Sequence, residues 1–342
     1  MKVREGDVYM ERKKIISDTD FDRIFDEKTA EINEQFDQEV LIAMIGDINA
    51  GKSSTINQLM GAEVAEVGAR PGETVKIKKY IYKDKIVFVD TPGLDDIQSE
   101  HSAETLKFYK EADLVLFFLN AAGTVLSEAE LASLNKIAKV NQDIILVLNK
   151  IDAADDIPSL IKYVQDHTNY EYAVTPISSR TGENIEMLQS EVLKLLEAKK
   201  KDILMAKNMA NKSSIAKKWI LAAGGSAAAI GASPIPGSDF VPLTGLQVGL
   251  MLRLSTLYEK PISKDNAKEL IIATVVGNIG KTVFRQIVKI VPGAGMVVGA
   301  SVAGAMTVAL GHAVKYAHEN NIELTAKSLK PIYELFLKKE KK

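Results

Sequence analysis

The sequence predicts an α/β domain, with a mainly parallel sheet and helices on both faces, followed by an all-helical domain. Short apolar runs alternate with helix-period segments over residues 39–200. A glycine-rich phosphate-loop pattern stands between the first such run and the first helix after it. Beyond residue 200 strand signals stop and the charge balance reverses. The 342 residues suffice for two domains, and 46% hydrophobic with 26% charged residues is the composition of a folded chain.

The elements follow in order. Residues 1–38 read as an extension holding one amphipathic helix over 18–37, with Phe21, Ile24, Phe25, Ile32 and Phe36 near helical spacing. Val40–Ile45 is a short apolar run ending in glycine, the profile of a strand buried on both faces. An edge strand is expected over 75–82, and buried strands over 85–89, 114–119, 144–148 and 172–176. Helices are expected near 53–60, 100–111, 127–139, 156–167 and 183–200. The lysines from Lys199 to Lys218 read as a basic helical linker. After them, Trp219–Leu252 holds Asp239 as its single charged residue, and Ile290–Gly311 holds none.

Composition excludes several chemistries. Without cysteine there is no disulfide framework, thiolate zinc site or cysteine nucleophile. His312 and His318 are six apart, so they do not make an i, i+4 ligand pair on a helix. The segment MKVREGDVYMERKK lacks the apolar run of a secretory signal, and a cytoplasmic protein is expected.

Gly46-Asp-Ile-Asn-Ala-Gly51-Lys52-Ser53 fits G-x-x-x-x-G-K-[ST] after a strand and before a helix. Its glycines let backbone amides curl around phosphates at the positive end of the helix. Lys52 would reach the β- and γ-phosphates and Ser53 would ligate Mg²⁺, with Asp47, Asn49, Ala50, Gly51 and Ser54 completing the loop. Asp90-Thr-Pro-Gly93 ends the strand at 85–89. It would set the Asp90 carboxylate beside the metal's water shell and the Gly93 amide near the γ-phosphate. Thr74 is the second hydroxyl expected on Mg²⁺. With Lys52, Thr74 and Gly93 form the expected catalytic set. Asn149-Lys150-Ile151-Asp152 follows the strand at 144–148. An ionised Asp152 is acceptor-only, so it takes both the N1–H and the N2 hydrogens of guanine, whereas adenine would leave it unpaired. Ser178, Ser179 and Arg180 follow the next strand and can offer backbone amides to guanine O6.

The ordered set GDINAGKS, Thr74, DTPG, NKID and SSR resembles the Era-like and TrmE-like GTPases of the translation-factor class, and more loosely dynamin and immunity-related GTPases. The resemblance covers about 40–198. It implies a P-loop G domain over 39–200 that binds GTP and GDP with Mg²⁺ and hydrolyses GTP to GDP and phosphate. Asn49 matches the asparagine that holds K⁺ in potassium-activated relatives, which would make the reaction K⁺-stimulated; a loop asparagine in a turn conformation is the other reading. Leu94 stands where Ras-like proteins carry a water-orienting glutamine. An aliphatic side chain cannot orient water, so slow turnover is expected, and a nucleotide-gated assembly or ribosome- or RNA-binding factor is the alternative function. Asp95, Asp96, Glu100 and His101 crowd the expected second switch without an assigned base. A homodimer through the G domain is common in these families.

Residues 201–342 carry 19 Lys and Arg against 9 Asp and Glu, whereas residues 1–200 carry 24 against 36. A basic half suggests an anionic partner. Residues 233–258, 290–300 and 307–314 resemble an uncharacterised bacterial domain that follows Era-like GTPases and also occurs in some inner-membrane proteins. Three physical readings compete. Ile290–Gly311 is long enough to span a bilayer and contains Gly295-Met-Val-Val-Gly299, a small-residue packing pattern. The pieces of Trp219–Leu252, broken by Pro234, Pro236, Gly237, Asp239 and Pro242, are too short to cross alone. A soluble bundle packed through glycine and alanine is the second reading. RNA binding through the GxxG of Gly277–Gly280 is the third, but a KH-type domain needs strands that are absent here, so RNA is not an expected partner. The expectation is a guanine-nucleotide switch, cytoplasmic or peripheral on the inner membrane, whose helical domain meets an anionic membrane surface or a protein effector.

Overall fold

The computed structural model describes residues 17–63, 66–67, 78–83, 85–90, 102–232, 240–273 and 295–339. Helix α1 (Asp18–Phe36) leads into β1 (Val40–Ile45), α2 (Lys52–Met60), β2 (Glu66–Val67), β3 (Lys78–Tyr82) and β4 (Ile86–Asp90). Then follow α3 (Ser102–Glu111), β5 (Leu114–Asn120), α4 (Glu128–Ala138), β6 (Ile144–Asn149), α5 (Ile157–His167), β7 (Ala173–Pro176) and α6 (Ile185–Ala198). The remaining helices are α7 (Asp202–Asn208), α8 (Lys212–Gly231), α9 (Phe240–Leu257), α10 (Lys264–Ile271), α11 (Gly295–Glu319) and α12 (Ala326–Lys339).

The strands form one seven-stranded sheet in the order β2-β3-β4-β1-β5-β6-β7. β1 runs parallel to β4 and β5, and β6 is parallel to β5 and β7. β2 and β3 are antiparallel additions beyond β4. Alternation along the strands sorts the core into two layers. Val115, Phe117 and Leu119 of β5 join Ala43, Ile45 and Leu146 in a cluster with Tyr109 of α3, Leu134 and Ile137 of α4, and Val164 of α5. Leu114, Leu116 and Phe118 face the other way and are fully buried, and α6 lies against β5, β6 and β7. The parallel sheet with helices on both faces is the predicted class. The strand expected at the sheet edge is not an edge: β2, too short to show a period in the sequence, pairs outside β3, and residues 75–77 lie outside the described residues.

The chain divides into two compact units, one of residues 35–211 and the other of residues 1–34 with 212–342. The divisions expected at 38 and 200 fall elsewhere, for physical reasons. Lys201 reaches Asp113 at 2.7 Å, a carboxylate that also accepts the Leu41 amide at 2.9 Å, and Lys199 reaches Asp143 at 2.7 Å. The Gln189 amide donates to the Leu59 and Ala210 carbonyls at 3.3 and 3.0 Å. The start of the supposed linker is therefore fastened to the α/β unit.

In the helical unit α1 lies with α9 and α10. Asp26 pairs with Lys264 at 2.7 Å and Asp18 with Lys268 at 3.0 Å, while those lysines stand over the Phe25 and Phe21 rings. α8 and α11 meet through glycine. A Cβ on Gly224 would lie 2.4 Å from Val308 Cγ2, and one on Gly304 would lie 3.1 Å from the Gly224 carbonyl. Gly295 and Gly299 open α11, and Gly277–Gly280 lies outside the described residues. α9 runs for 18 residues and is long and apolar enough to cross a membrane by length and composition, with 56% of it buried. Pro242 does not interrupt it, because in a first turn the missing N–H has no carbonyl to bond, and the helix continues past Arg253. This corrects the expectation of a break at Pro242; Pro234, Pro236, Gly237 and Asp239 lie outside the described residues.

Candidate nucleotide site

The phosphate loop is shaped by positions where a side chain would not fit. β1 delivers the chain to Gly46, where φ is +151°, and a Cβ there would stand 2.7 Å from Phe118 Cβ and 2.9 Å from its carbonyl oxygen. Asn49 is left-handed with φ 66°, a conformation asparagine tolerates. Gly51 has φ 91°, and its added Cβ would meet Asn149 Nδ2 at 2.1 Å. α2 then begins without a side-chain cap. Its first helical bond runs from the Thr55 amide to the Gly51 carbonyl at 2.9 Å, reinforced by Thr55 Oγ1 at 2.8 Å. The amides of Lys52, Ser53 and Ser54 precede that bond and have no helical carbonyl to donate to, and the helix dipole puts its positive end there. This arrangement receives an anion.

Charge gathers around the same turn. Lys52 Nζ donates to the carbonyls of Gly46 at 2.7 Å and Asp47 at 3.1 Å, and it lies 3.5 Å from Asp90 Oδ1. Both side chains are largely buried, at 11% and 17% exposure. Ser53 Oγ lies 3.2 Å from the Tyr80 hydroxyl. Ala50 is buried, and Asp47, Asn49 and Ser54 are exposed. A hydroxyl and a carboxylate beside an anion-receiving turn are hard oxygen donors, which fit Mg²⁺ completed by phosphate and water. Thr74 and Gly93 lie outside the described residues, as do Leu94, Asp95, Asp96, Glu100 and His101.

The second half of the site is built on the ends of β6 and β7. Asn149 Nδ2 donates to the Ala50 carbonyl at 2.7 Å and to Ser179 Oγ at 3.0 Å, while its Oδ1 accepts the Ser179 amide at 2.9 Å. Buried Asn149 thus fastens the phosphate loop to the loop after β7. Lys150 is left-handed, with φ 67°. Asp152 opens the next turn, accepting the Ser178 hydroxyl on Oδ1 at 2.6 Å and the Arg180 guanidinium on Oδ2 at 2.6 Å. The Ser178 hydroxyl, with Arg180 adding to it, holds the Asp152 carboxyl below its ordinary range. The structure therefore brings Asp47, Asn49, Ala50, Gly51, Lys52, Ser53, Ser54 and Asp90 to one end of the sheet. Asn149 joins that group, through Ser179, to the loop from which Ser178 and Arg180 converge on Asp152. Tyr80 was absent from the sequence-derived set, since only the strand register brings it to Ser53.

Residues 41–150 match the family model described as 50S ribosome-binding GTPase. The chain carries an Era-like small GTPase domain. It is 30% identical over 168 residues to GTPase Era of Aquifex aeolicus, covering 45% of this chain and 56% of that protein. It is 32% identical over 169 residues to GTPase Der of Nautilia profundicola, covering 46% and 36%. Among solved structures the G domain of the T. maritima FeoB iron transporter aligns at 28% identity and a TM-score of 0.37, over 46% of this chain and 99% of that one. The chain thus spans about half, or less, of the length of these curated relatives.

Proposed function

We propose that this protein is a guanine-nucleotide switch that hydrolyses GTP to GDP and phosphate. The observation that carries the reading is the Asn149 network, which joins an anion-receiving turn to an acceptor-only carboxylate. One end suits phosphates and the other suits guanine, whose N1–H and N2 hydrogens need an acceptor. Lys52 and the first-turn amides of α2 would offset the charge on the transferring phosphoryl group, the main task in such a reaction. Mg²⁺ on Ser53, Thr74 and, through water, Asp90 would neutralise phosphate charge when bound. The test is single-turnover hydrolysis of GTP by the full chain. Lys52→Ala should abolish nucleotide binding and turnover, and full-affinity GTP binding by that variant would refute the site. Running the assay in KCl and in NaCl tests Asn49, because equal rates would remove the K⁺ role. Leu94 favours one second reading, a nucleotide-gated assembly factor. GTP bound tightly without conversion in a single turnover would select it.

We further propose that the helical unit holds this cytoplasmic protein peripherally on an anionic membrane surface. Support comes from the 24 basic against 18 acidic residues of that unit, 1–34 with 212–342, and from the length and apolarity of α9. Full-length protein should float with anionic liposomes in one nucleotide state, GDP or a non-hydrolysable GTP analogue, more than in the other. Failure to float in both states would replace the membrane with a protein effector.

A further inference from the structure

Ser53, the exposed first-turn hydroxyl of α2 that the proposed function assigns to Mg²⁺, meets the hydroxyl of a buried tyrosine. Tyr80 belongs to β3, across β4 from β1, and is 7% exposed. Its backbone is fixed in register with Phe88 of β4 and Glu66 of β2. The strand therefore leaves the phenol little choice of position. Its hydroxyl stands 3.2 Å from Ser53 Oγ, close enough for either group to donate. A serine oxygen that ligates a cation gives up a lone pair and still carries a proton, and that proton needs an acceptor. A buried phenol oxygen in turn needs a polar partner.

We propose that Tyr80 is a positioning residue for the Mg²⁺ site. Its hydroxyl accepts the Ser53 proton, selects the Ser53 rotamer and leaves the serine's lone pairs for the cation. β3 begins four residues after Thr74, so the contact also anchors to the phosphate loop the strand that follows the second expected ligand. The inference rests on Ser53 being a Mg²⁺ ligand.

The experiment is release of a fluorescent GDP from the full-length protein, measured against free Mg²⁺ for wild type, Tyr80→Phe, Ser53→Ala and the double variant. Phe keeps the buried ring, and the release rate in EDTA reports whether the pocket is intact. Tyr80→Phe should raise the Mg²⁺ midpoint by about tenfold, the scale seen when a group orienting a metal ligand is removed. Its release rate in EDTA should match wild type. The double variant should behave as Ser53→Ala alone, because Tyr80 acts through Ser53. The inference is overturned if Ser53→Ala shifts the midpoint and Tyr80→Phe does not. Additive effects in the double variant, or an equal change in EDTA, would overturn it too. Should Ser53→Ala itself leave the midpoint unchanged, the Mg²⁺ role of Ser53 fails, and the role of Tyr80 fails with it.

Discussion

Asp152 shows how one residue's chemistry follows from its two neighbours. The Ser178 hydroxyl and the Arg180 guanidinium each meet one of its oxygens at 2.6 Å. Both interactions favour the ionised form, so the folded-state value is depressed, by Ser178 first and Arg180 after it. Stability from this arrangement is therefore present above the ordinary aspartate value of about 3.9 and is lost as pH falls through the lowered folded value. At neutral pH Asp152 is an acceptor only, and it should add no pH dependence to guanine binding between about pH 6 and 8. Asp152→Asn would set an amide donor against guanine's donors while suiting the N1–H and the O2 of xanthine. GTP affinity should fall on the order of a hundredfold or more while XTP affinity rises, because a site built for specific hydrogen bonds rejects the mispaired base strongly. Competition of GTP and XTP against labelled GDP reads this, and an unchanged preference would refute the assignment.

At the scale of elements, the glycines separate into those that pack and those that do not. A Cβ on Gly311 would stand 2.7 and 3.0 Å from the Ile220 branch carbons and 3.1 Å from Leu250 Cδ2. Ile220 is fully buried and branches at Cβ, so it has little room to turn away. Gly225, in the middle of α8, has nothing within 4 Å. The two should respond with opposite signs to the same substitution. Gly311→Ala should destabilise by about 1–3 kcal/mol through overpacking, whereas Gly225→Ala should stabilise by about 0.5–1 kcal/mol from helix propensity. Urea unfolding of both variants checks this, and equal shifts would mean that α8 and α11 are not in glycine-mediated contact. The same contrast explains what was legible in the sequence. Val40–Ile45, Leu114–Asn120 and Ile144–Asn149 announced themselves because strands buried on both faces leave continuous apolar runs. The turns at Gly46 and Gly51 were legible because the backbone there excludes a side chain. The Ser53–Tyr80 contact depends on the register of β3 between two antiparallel neighbours, and the Gly224–Gly304 contact on how two helices cross. No local period encodes either. The break between α7 and α8 was hidden for a related reason, since lysines that look alike in sequence act as anchors at 199 and 201 and open α8 at 212.

For the whole molecule, the division into units makes α1 more than a leader before the nucleotide domain. Up to Glu34 it belongs with the helical unit. There Phe21, Ile24 and Phe25 are buried, the Ile24 side chain lies against Gly245 of α9, and two ion pairs run to α10. Exposed pairs of this kind contribute little, on the order of 0–1 kcal/mol each. Burial of the two phenylalanines and Ile24 contributes more, about 1.5–3 kcal/mol for each fully buried side chain. A chain of 212–342 without residues 1–34 exposes that apolar face and loses a sum comparable with the whole stability of a small domain. Residues 35–211 keep their own ties, with Gln35 Oε1 accepting the Ile203 amide at 2.9 Å and Lys207 standing over Phe36. The 35–211 fragment should therefore unfold cooperatively and bind GDP as the full chain does. The 212–342 fragment should be partly unfolded or associate, and a peptide of residues 1–34 should raise its melting temperature, increasingly with the logarithm of the peptide concentration. Calorimetry of the fragment with and without the peptide decides the point. A cooperative transition at the same temperature in both samples would show that α1 is not part of the helical fold.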